Sequence, residues 1–217
     1  MIFKELYAYR EMIFSLVRRD LVGKYKKSIL GFLWTFVDPL LQLAVYTFVF
    51  TVIMPISNID NYYLHLFVAL IPWGFFAGCL SGGCMAVINQ QDMVKKIYFP
   101  REVLPIAYVT SQFVNMALSF IVVFIVLIIS GVGMSIQALI WMPVVMVIQY
   151  IVCLGVTLIF SAATVYFRDL QQILSVLSLA LMYASPIIYS IHMVPDGIKQ
   201  IYMLNPCLLY TSPSPRD

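Results

Sequence analysis

Charge is scarce in this chain, and the scarcity excludes an ordinary water-soluble domain. Charged residues make up 11% of the 217 residues, and the mean hydropathy is +0.94. Soluble domains carry roughly 25% charged residues. So few charges cannot cover a water-facing surface, whereas lipid can contact such a chain directly. The composition therefore predicts a membrane protein.

Motifs of catalysis and cofactor binding are also missing. No GxxxxGK[ST], HExxH or GxSxG segment occurs, which excludes a P-loop nucleotide site and two hydrolase signatures. The four cysteines form no CxxC pair and have no nearby histidine, so neither a structural disulfide nor a metal site is predicted. His65 and His192 are interpreted as interfacial or loop side chains. We expect no catalytic residue, metal or cofactor in this chain.

Long apolar stretches are what the sequence does contain. Five of them can each cross a hydrocarbon core of about 30 Å, which takes roughly 20 helical residues. They lie at about 32–56, 63–87, 105–130, 138–165 and 171–191. Their length and their lack of sustained alternation exclude membrane strands. The predicted fold class is an all-α membrane protein with five transmembrane helices.

Lysine and arginine are distributed unevenly between the two sides of these spans. Eleven of them precede the first span or follow spans two and four, and the loops after spans one and three have none. Loops rich in Lys and Arg stay in the cytoplasm. The sequence therefore predicts a multi-pass protein of the inner (cytoplasmic) membrane, with a cytoplasmic amino terminus.

Residues 1–30 are predicted to form a separate cytoplasmic segment. Apolar residues recur at helical spacing over 2–22, and charged residues occupy the other faces. This pattern is typical of an amphipathic helix in the headgroup region; the alternative is a helix packed on a protein partner. The basic residues expected at the membrane interface are Arg18, Arg19, Lys24, Lys26 and Lys27.

The cytoplasmic loop 89–102 mixes charges of both signs with apolar and aromatic side chains. A loop that serves only to set orientation needs only its cations, whereas this mixture is typical of a protein-docking surface. We favour docking over plain anchoring. The predicted docking residues are Asp92, Lys95, Lys96, Tyr98, Phe99, Arg101 and Glu102.

Three features inside the spans have structural and functional interpretations. Asp38 could snorkel, face a water-filled path or pair with a basic residue of the interfacial helix, and we favour the pairing. Gly74, Gly78 and Gly82 recur at four-residue spacing, which permits close helix approach or dimer contacts. Pro186 is predicted to break or kink span five. The aromatic residues near the interfaces fit an aromatic belt, although some could stack on sugars.

Five segments together resemble the ABC-2 type permeases, and most closely their polysaccharide export branch. They are RRDLVGKYKKSILGFLWTFVDPLLQLAVYTFVF, IPWGFFAGCLSGG, VKKIYFPREVLP, YFRDLQQIL and SPIIYS. The resemblance covers Arg18 to Pro206, so residues 31–206 are expected to be an ABC-2 type transmembrane domain. Residues 193–206 match the outer loop helices of that family. Residues 210–217 match nothing in it and suggest a disordered or non-native tail.

The resemblance implies a six-span permease, and we expect the natural chain to continue into the sixth span. It implies a dimer with a second copy of this chain, bound to two copies of a separate ATP-binding subunit that holds ATP and Mg. Residues 89–104 would hold the coupling helix, and Arg168 and Asp169 a second cytoplasmic contact. The implied substrate is a lipid-linked polysaccharide such as O-antigen, teichoic acid or a capsular polymer. No nucleic acid partner is expected.

Two other functions stay open at this point. A permease of the same superfamily could export drugs or other small molecules. A membrane-embedded transferase acting on lipid-linked sugars is a second alternative. The transferase would need acidic or histidine side chains clustered near one membrane face, and the sequence offers Asp60, His65, His192 and Asp196 without a recognisable spacing.

Overall fold

A computed structural model describes residues 7–25, 31–49, 62–130 and 136–184. Every regular element in these ranges is a helix, which confirms the predicted all-α class. The main helices are α1 (Arg10–Tyr25), α2 (Trp34–Phe48), α3 (Tyr62–Ser81), α4 (Ala86–Asn89), α5 (Gln91–Lys96), α6 (Val103–Ile129), α7 (Ile136–Tyr166) and α8 (Leu170–Ala184).

Within the described ranges, three segments are long and apolar enough to cross a membrane. They are Leu66–Lys96, Val103–Ile129 and Ile140–Tyr166. Helix α8 is apolar but shorter, and α2 has 15 residues. The remainder of the predicted first and fifth spans, Pro186, the segment 193–206 and the tail 210–217 lie outside the described residues.

Helices α3, α6 and α7 build the main core. Phe67, Val109 and Cys153 are buried where the three helices meet. Polar side chains join the same helices, since the Gln149 Nε2 donates to the Pro72 carbonyl at 2.8 Å and the Thr157 Oγ1 donates to the Cys79 carbonyl at 3.3 Å. Because lipid offers no hydrogen-bond partners, such polar groups must pair between helices.

Small residues at the end of α3 allow the closest approach between helices. A Cβ added at Gly82 would overlap the Tyr108 hydroxyl of α6, and one at Gly83 would lie 2.6 Å from the Thr157 Cγ2 of α7. A Cβ at Gly78 would meet the Gln112 side chain at 3.9 Å. A 3-10 turn, Gly83–Met85, follows here and leads into α4.

The turn that leads into α2 begins at a glycine. Gly31 has a φ of +49°, a left-handed conformation that glycine adopts without the steric cost of a Cβ. It begins the 3-10 turn Gly31–Leu33, which leads directly into α2. A residue with a Cβ would be strained at this position.

Candidate docking site at the basic end

Helix α1 lies against the beginning of α6, at the end of the bundle that also carries α5 and the α7–α8 turn. We call this the basic end. Leu16 and Val17 of α1 are buried against Phe99, Val103 and a further pair of α6 residues. The amphipathic helix predicted from residues 2–22 therefore buries its apolar face on this chain's own loop. That contact is intramolecular, and Tyr7, Phe14 and Val22 of the same segment stay exposed, so the placement of this helix at the membrane interface stays a prediction.

A polar contact adds to this packing. The Arg19 Nη1 donates to the Gln90 Oε1 at 3.2 Å, and its Nε and Nη2 approach the Asp20 carboxylate, the latter at 3.2 Å. Gln90 stands immediately before α5. Arg19 is partly exposed, so the bond is weak, but it ties α1 to the start of α5. Helices α1, α5 and the start of α6 thus form one packed unit.

Helix α5 is short and its charges suit its two ends. Asp92 lies in the first turn, and Lys95 and Lys96 lie in the last turn, where an anion and cations respectively interact favourably with the helix dipole. Ile97 then adopts an extended conformation with φ −128° and ψ 133°. The three charged side chains are exposed, which leaves them available to a partner.

The segment after α5 divides its two aromatic residues between surface and core. Tyr98 is 99% exposed, whereas Phe99 is 7% exposed and belongs to the cluster with Leu16 and Val17. Phe99 was predicted as a docking residue, a role that requires an exposed side chain, and the exposure assumed for it is wrong. The reason is that α1 covers it, a contact between residues distant in the sequence. Arg101 and Glu102 are exposed, as expected of docking residues.

The turn between α7 and α8 lies at the same end. Leu170, at the start of α8, packs against the cluster of Leu80 and Cys84 just before α4. The backbone N–H groups of Leu170 and Gln172 donate to the carbonyls of Phe167 and Asp169 at 3.2 and 3.0 Å. These bonds close a tight turn that leaves the predicted contact residues exposed, namely Arg168 and Asp169.

Three exposed residues at this end were not singled out from the sequence. Ile97 beside Tyr98, and Tyr166 and Phe167 beside Arg168, all expose more than half of their surface. The available signal was their position, since each is a large apolar residue within two positions of a charged residue. With them, two exposed aromatic patches flank the basic end.

The remaining predicted residues differ in their surroundings. Arg18 is exposed; the side chain of Lys24 and all of Lys26 and Lys27 lie outside what the structure describes. Asp38 is exposed, and neither ion pair found in the described ranges includes it, so its pairing stays a prediction. Gly74 is exposed, and a Cβ there would meet nothing within 4 Å.

Metal ligands do not come together in the parts of the chain that the structure covers. No group of three or more His, Cys, Asp or Glu residues within 7–25, 31–49, 62–130 and 136–184 could hold a metal ion. What the basic end offers is a surface of charges and aromatic side chains.

Comparison with known proteins decides the family. A family model described as "ABC-2 type transporter" matches residues 11–212. The chain belongs to this family. It is therefore a membrane permease of the ABC-2 type, and its apolar helices are those of a multi-pass protein.

Curated relatives of this permease are exporters of surface polymers. One is an "O-antigen export system permease protein RfbA" of Myxococcus xanthus, 37% identical over 201 residues, which cover 93% of this chain and 76% of the relative. The protein of the same name in Klebsiella pneumoniae is 31% identical over 90% of this chain and 75% of its own length. The "Polysialic acid transport protein KpsM" of Escherichia coli is 23% identical over 88% and 75% respectively.

Proposed function

We propose that this chain is the permease subunit of an ATP-driven exporter that moves a lipid-linked polysaccharide across the bacterial cytoplasmic membrane. The observation that carries the proposal is the similarity to O-antigen export permeases over nine-tenths of the chain. That similarity favours a polysaccharide over the drugs or small molecules considered from the sequence. It also disfavours the transferase alternative, because the relatives are named as permeases.

Energy for transport is proposed to enter at the basic end. The sequence has no P-loop, so ATP and Mg would be held by a separate ATP-binding subunit, in two copies. Helix α5 and the segment to Glu102 would dock on it, with Asp92, Lys95, Lys96, Tyr98, Arg101 and Glu102 as contacts. Arg168 and Asp169 would form the second contact, extended by the exposed Phe167 beside them.

The packing at the basic end suggests how a movement of the partner would be transmitted. Phe99 and Arg19 tie the docking segment to α1, and Val103 begins α6 inside the same apolar cluster. Because packed clusters move as units rather than deform continuously, a push on α5 would shift α1 and α6 together. Transmission into the membrane would therefore run through α6.

The arrangement in the membrane is part of the same proposal. The amino terminus and the basic end would face the cytoplasm, with α1 at the headgroup level. Two copies of the chain would form the exporter. The proposed topology has six spans, of which five lie in this sequence.

Deletion and complementation in the source bacterium test this function. Deleting the gene should abolish the surface polysaccharide and leave lipid-linked polymer inside the cell. The native gene should restore the surface polysaccharide, whereas a variant with Lys96, Arg101 and Glu102 all changed to alanine should not. The same variant should fail to co-purify the ATP-binding subunit. The matched control changes Arg10 and Glu11, an exposed ion pair on α1, to alanine. Unchanged surface polysaccharide after deletion would refute the export function.

A further inference from the structure

Two neighbouring cavities follow one face of α6. The first, of about 510 Å³, lies between α1, the segment 86–90 and α6, and the second, of about 210 Å³, lies between α2, α3 and α6. Gln112 and Asn115 line both, so the two cavities adjoin along α6, and we call them together the groove. Ligand pockets usually measure about 300–1,000 Å³, and the first cavity alone falls within that range.

The α6 side of this groove is a polar stripe in an otherwise apolar helix. Tyr108, Ser111, Gln112, Asn115 and Ser119 recur at intervals of three and four residues, which places them on one face. At 1.5 Å per residue the stripe is about 17 Å long, roughly half of a hydrocarbon core of about 30 Å. Beyond Ser119 the helix continues as FIVVFIVLII. The polar stripe therefore begins near the basic end and ends about half-way along α6.

Two polar atoms inside the groove lack partners. The Asn115 Oδ1 and the Thr35 Oγ1 are buried and have no hydrogen-bond partner among the described residues, and Thr35 as a whole is 4% exposed. Buried polar groups in native proteins are nearly always paired, and pairing is most needed at membrane depth. Both residues line the second cavity. The second cavity is therefore bordered by polar residues whose hydrogen bonding is incomplete within the described part of the chain.

The charges of the groove indicate which part of a lipid-linked glycan would enter it. The Arg19 Nη2 and the Asp20 Oδ1, on the first cavity, are 3.2 Å apart and form an ion pair. Asp38 is the acidic residue on the second cavity. The lining therefore carries no unpaired cation among its described residues, and a phosphate would be repelled rather than bound. Amide and hydroxyl groups that both donate and accept suit sugar hydroxyls.

We propose that this groove binds a neutral, hydroxyl-rich sugar unit of the exported glycan, with Gln112 and Asn115 as its central contacts. The inference rests on the proposed function. Because the polar stripe ends half-way, the groove would receive and orient one end of the glycan before transport rather than conduct the whole polymer.

Leucine substitutions of similar size test the polar contacts. Gln112→Leu and Asn115→Leu should each lower surface polysaccharide at least fivefold, with unchanged permease level and unchanged co-purification of the ATP-binding subunit. Thr110→Val is the control, because it also removes a polar group of α6. That group is a hydroxyl paired with the Tyr150 hydroxyl at 2.9 Å, and it lies outside the groove lining. Full export by both leucine variants would overturn the groove while leaving the export function intact.

A photo-crosslinking amino acid provides a readout other than export. Placed at Gln112, or at Ser119 if the first variant is poorly expressed, it should attach glycan to the permease in cells that make the polymer. The same residue at Ile125, on the exposed face of α6, should not. The adduct should disappear in a strain that makes the lipid carrier phosphate without the glycan. An adduct that persists there, or none in polymer-making cells, would contradict sugar binding.

Discussion

Alanine substitution of the neighbouring residues Tyr98 and Phe99 should separate docking from folding. Phe99 is 7% exposed and packs between Leu16 and Val103, whereas Tyr98 is 99% exposed. Truncating a buried Phe costs about 3–5 kcal/mol of unfolding free energy. Phe99 lies at the end of the bundle, so we expect about 3 kcal/mol. Tyr98 makes little packing contact, and its loss should stay within about 0.5 kcal/mol.

The expected effect on association has the opposite order. An aromatic anchor at the centre of an interface typically contributes about 2 kcal/mol or more. That value corresponds to an affinity for the ATP-binding subunit weakened about 30-fold, at 1.4 kcal/mol for each factor of ten. Tyr98→Ala should therefore weaken association without unfolding the permease, because the side chain faces the partner and not the core.

Two measurements on the same purified variants check this reasoning. Denaturant unfolding in detergent gives the stability, and titration with the ATP-binding subunit gives the affinity. The reasoning would be refuted by a Tyr98→Ala variant that is as unstable as Phe99→Ala. It would be refuted equally by a Tyr98→Ala variant that keeps native affinity.

Other substitutions test the packing of α1 and α3. Gly83→Ala should lower the unfolding free energy by about 1–3 kcal/mol through overpacking, because its Cβ would lie 2.6 Å from the Thr157 Cγ2. Gly74→Ala has open space around it and should leave the unfolding free energy unchanged. Equal stability of the two variants in detergent would contradict this prediction. Leu16→Ala should raise amide hydrogen exchange throughout α1, since a buried Leu contributes about 2–5 kcal/mol. Arg19→Gln should leave that exchange nearly native, because exposed polar contacts contribute about 1 kcal/mol or less; the reverse order would show that α1 is held by its polar contact.

Sequence patterns predicted the helical class and the regions of the long helices. Continuous apolar runs are local signals, and the helices Val103–Ile129 and Ile136–Tyr166 correspond to the predicted spans 105–130 and 138–165. The uneven Lys and Arg distribution also drew attention to the segment that holds α5. Neither signal depends on which helices touch.

Features that depend on contacts between distant residues were not predicted. Tyr98 and Phe99 are adjacent aromatic residues, and only the packing of α1 distinguishes them. Four-residue spacing identified the glycines of α3, but it could not show that Gly82 meets another helix while Gly74 does not. The spacing of Gln112 and Asn115 was visible as a polar face of an apolar helix, and its meaning required the cavities beside it.

Thiol labelling of intact cells tests most directly the proposal that the basic end faces the cytosol, where the ATP-binding subunit would dock. Single cysteines would replace Lys96, in α5, and Ser130, at the far end of α6, in a chain whose four native cysteines are changed to serine. A membrane-impermeant reagent added outside should label the cysteine at position 130, and the cysteine at position 96 only after the cells are broken. Labelling at position 96 but not at position 130 in intact cells would contradict the account.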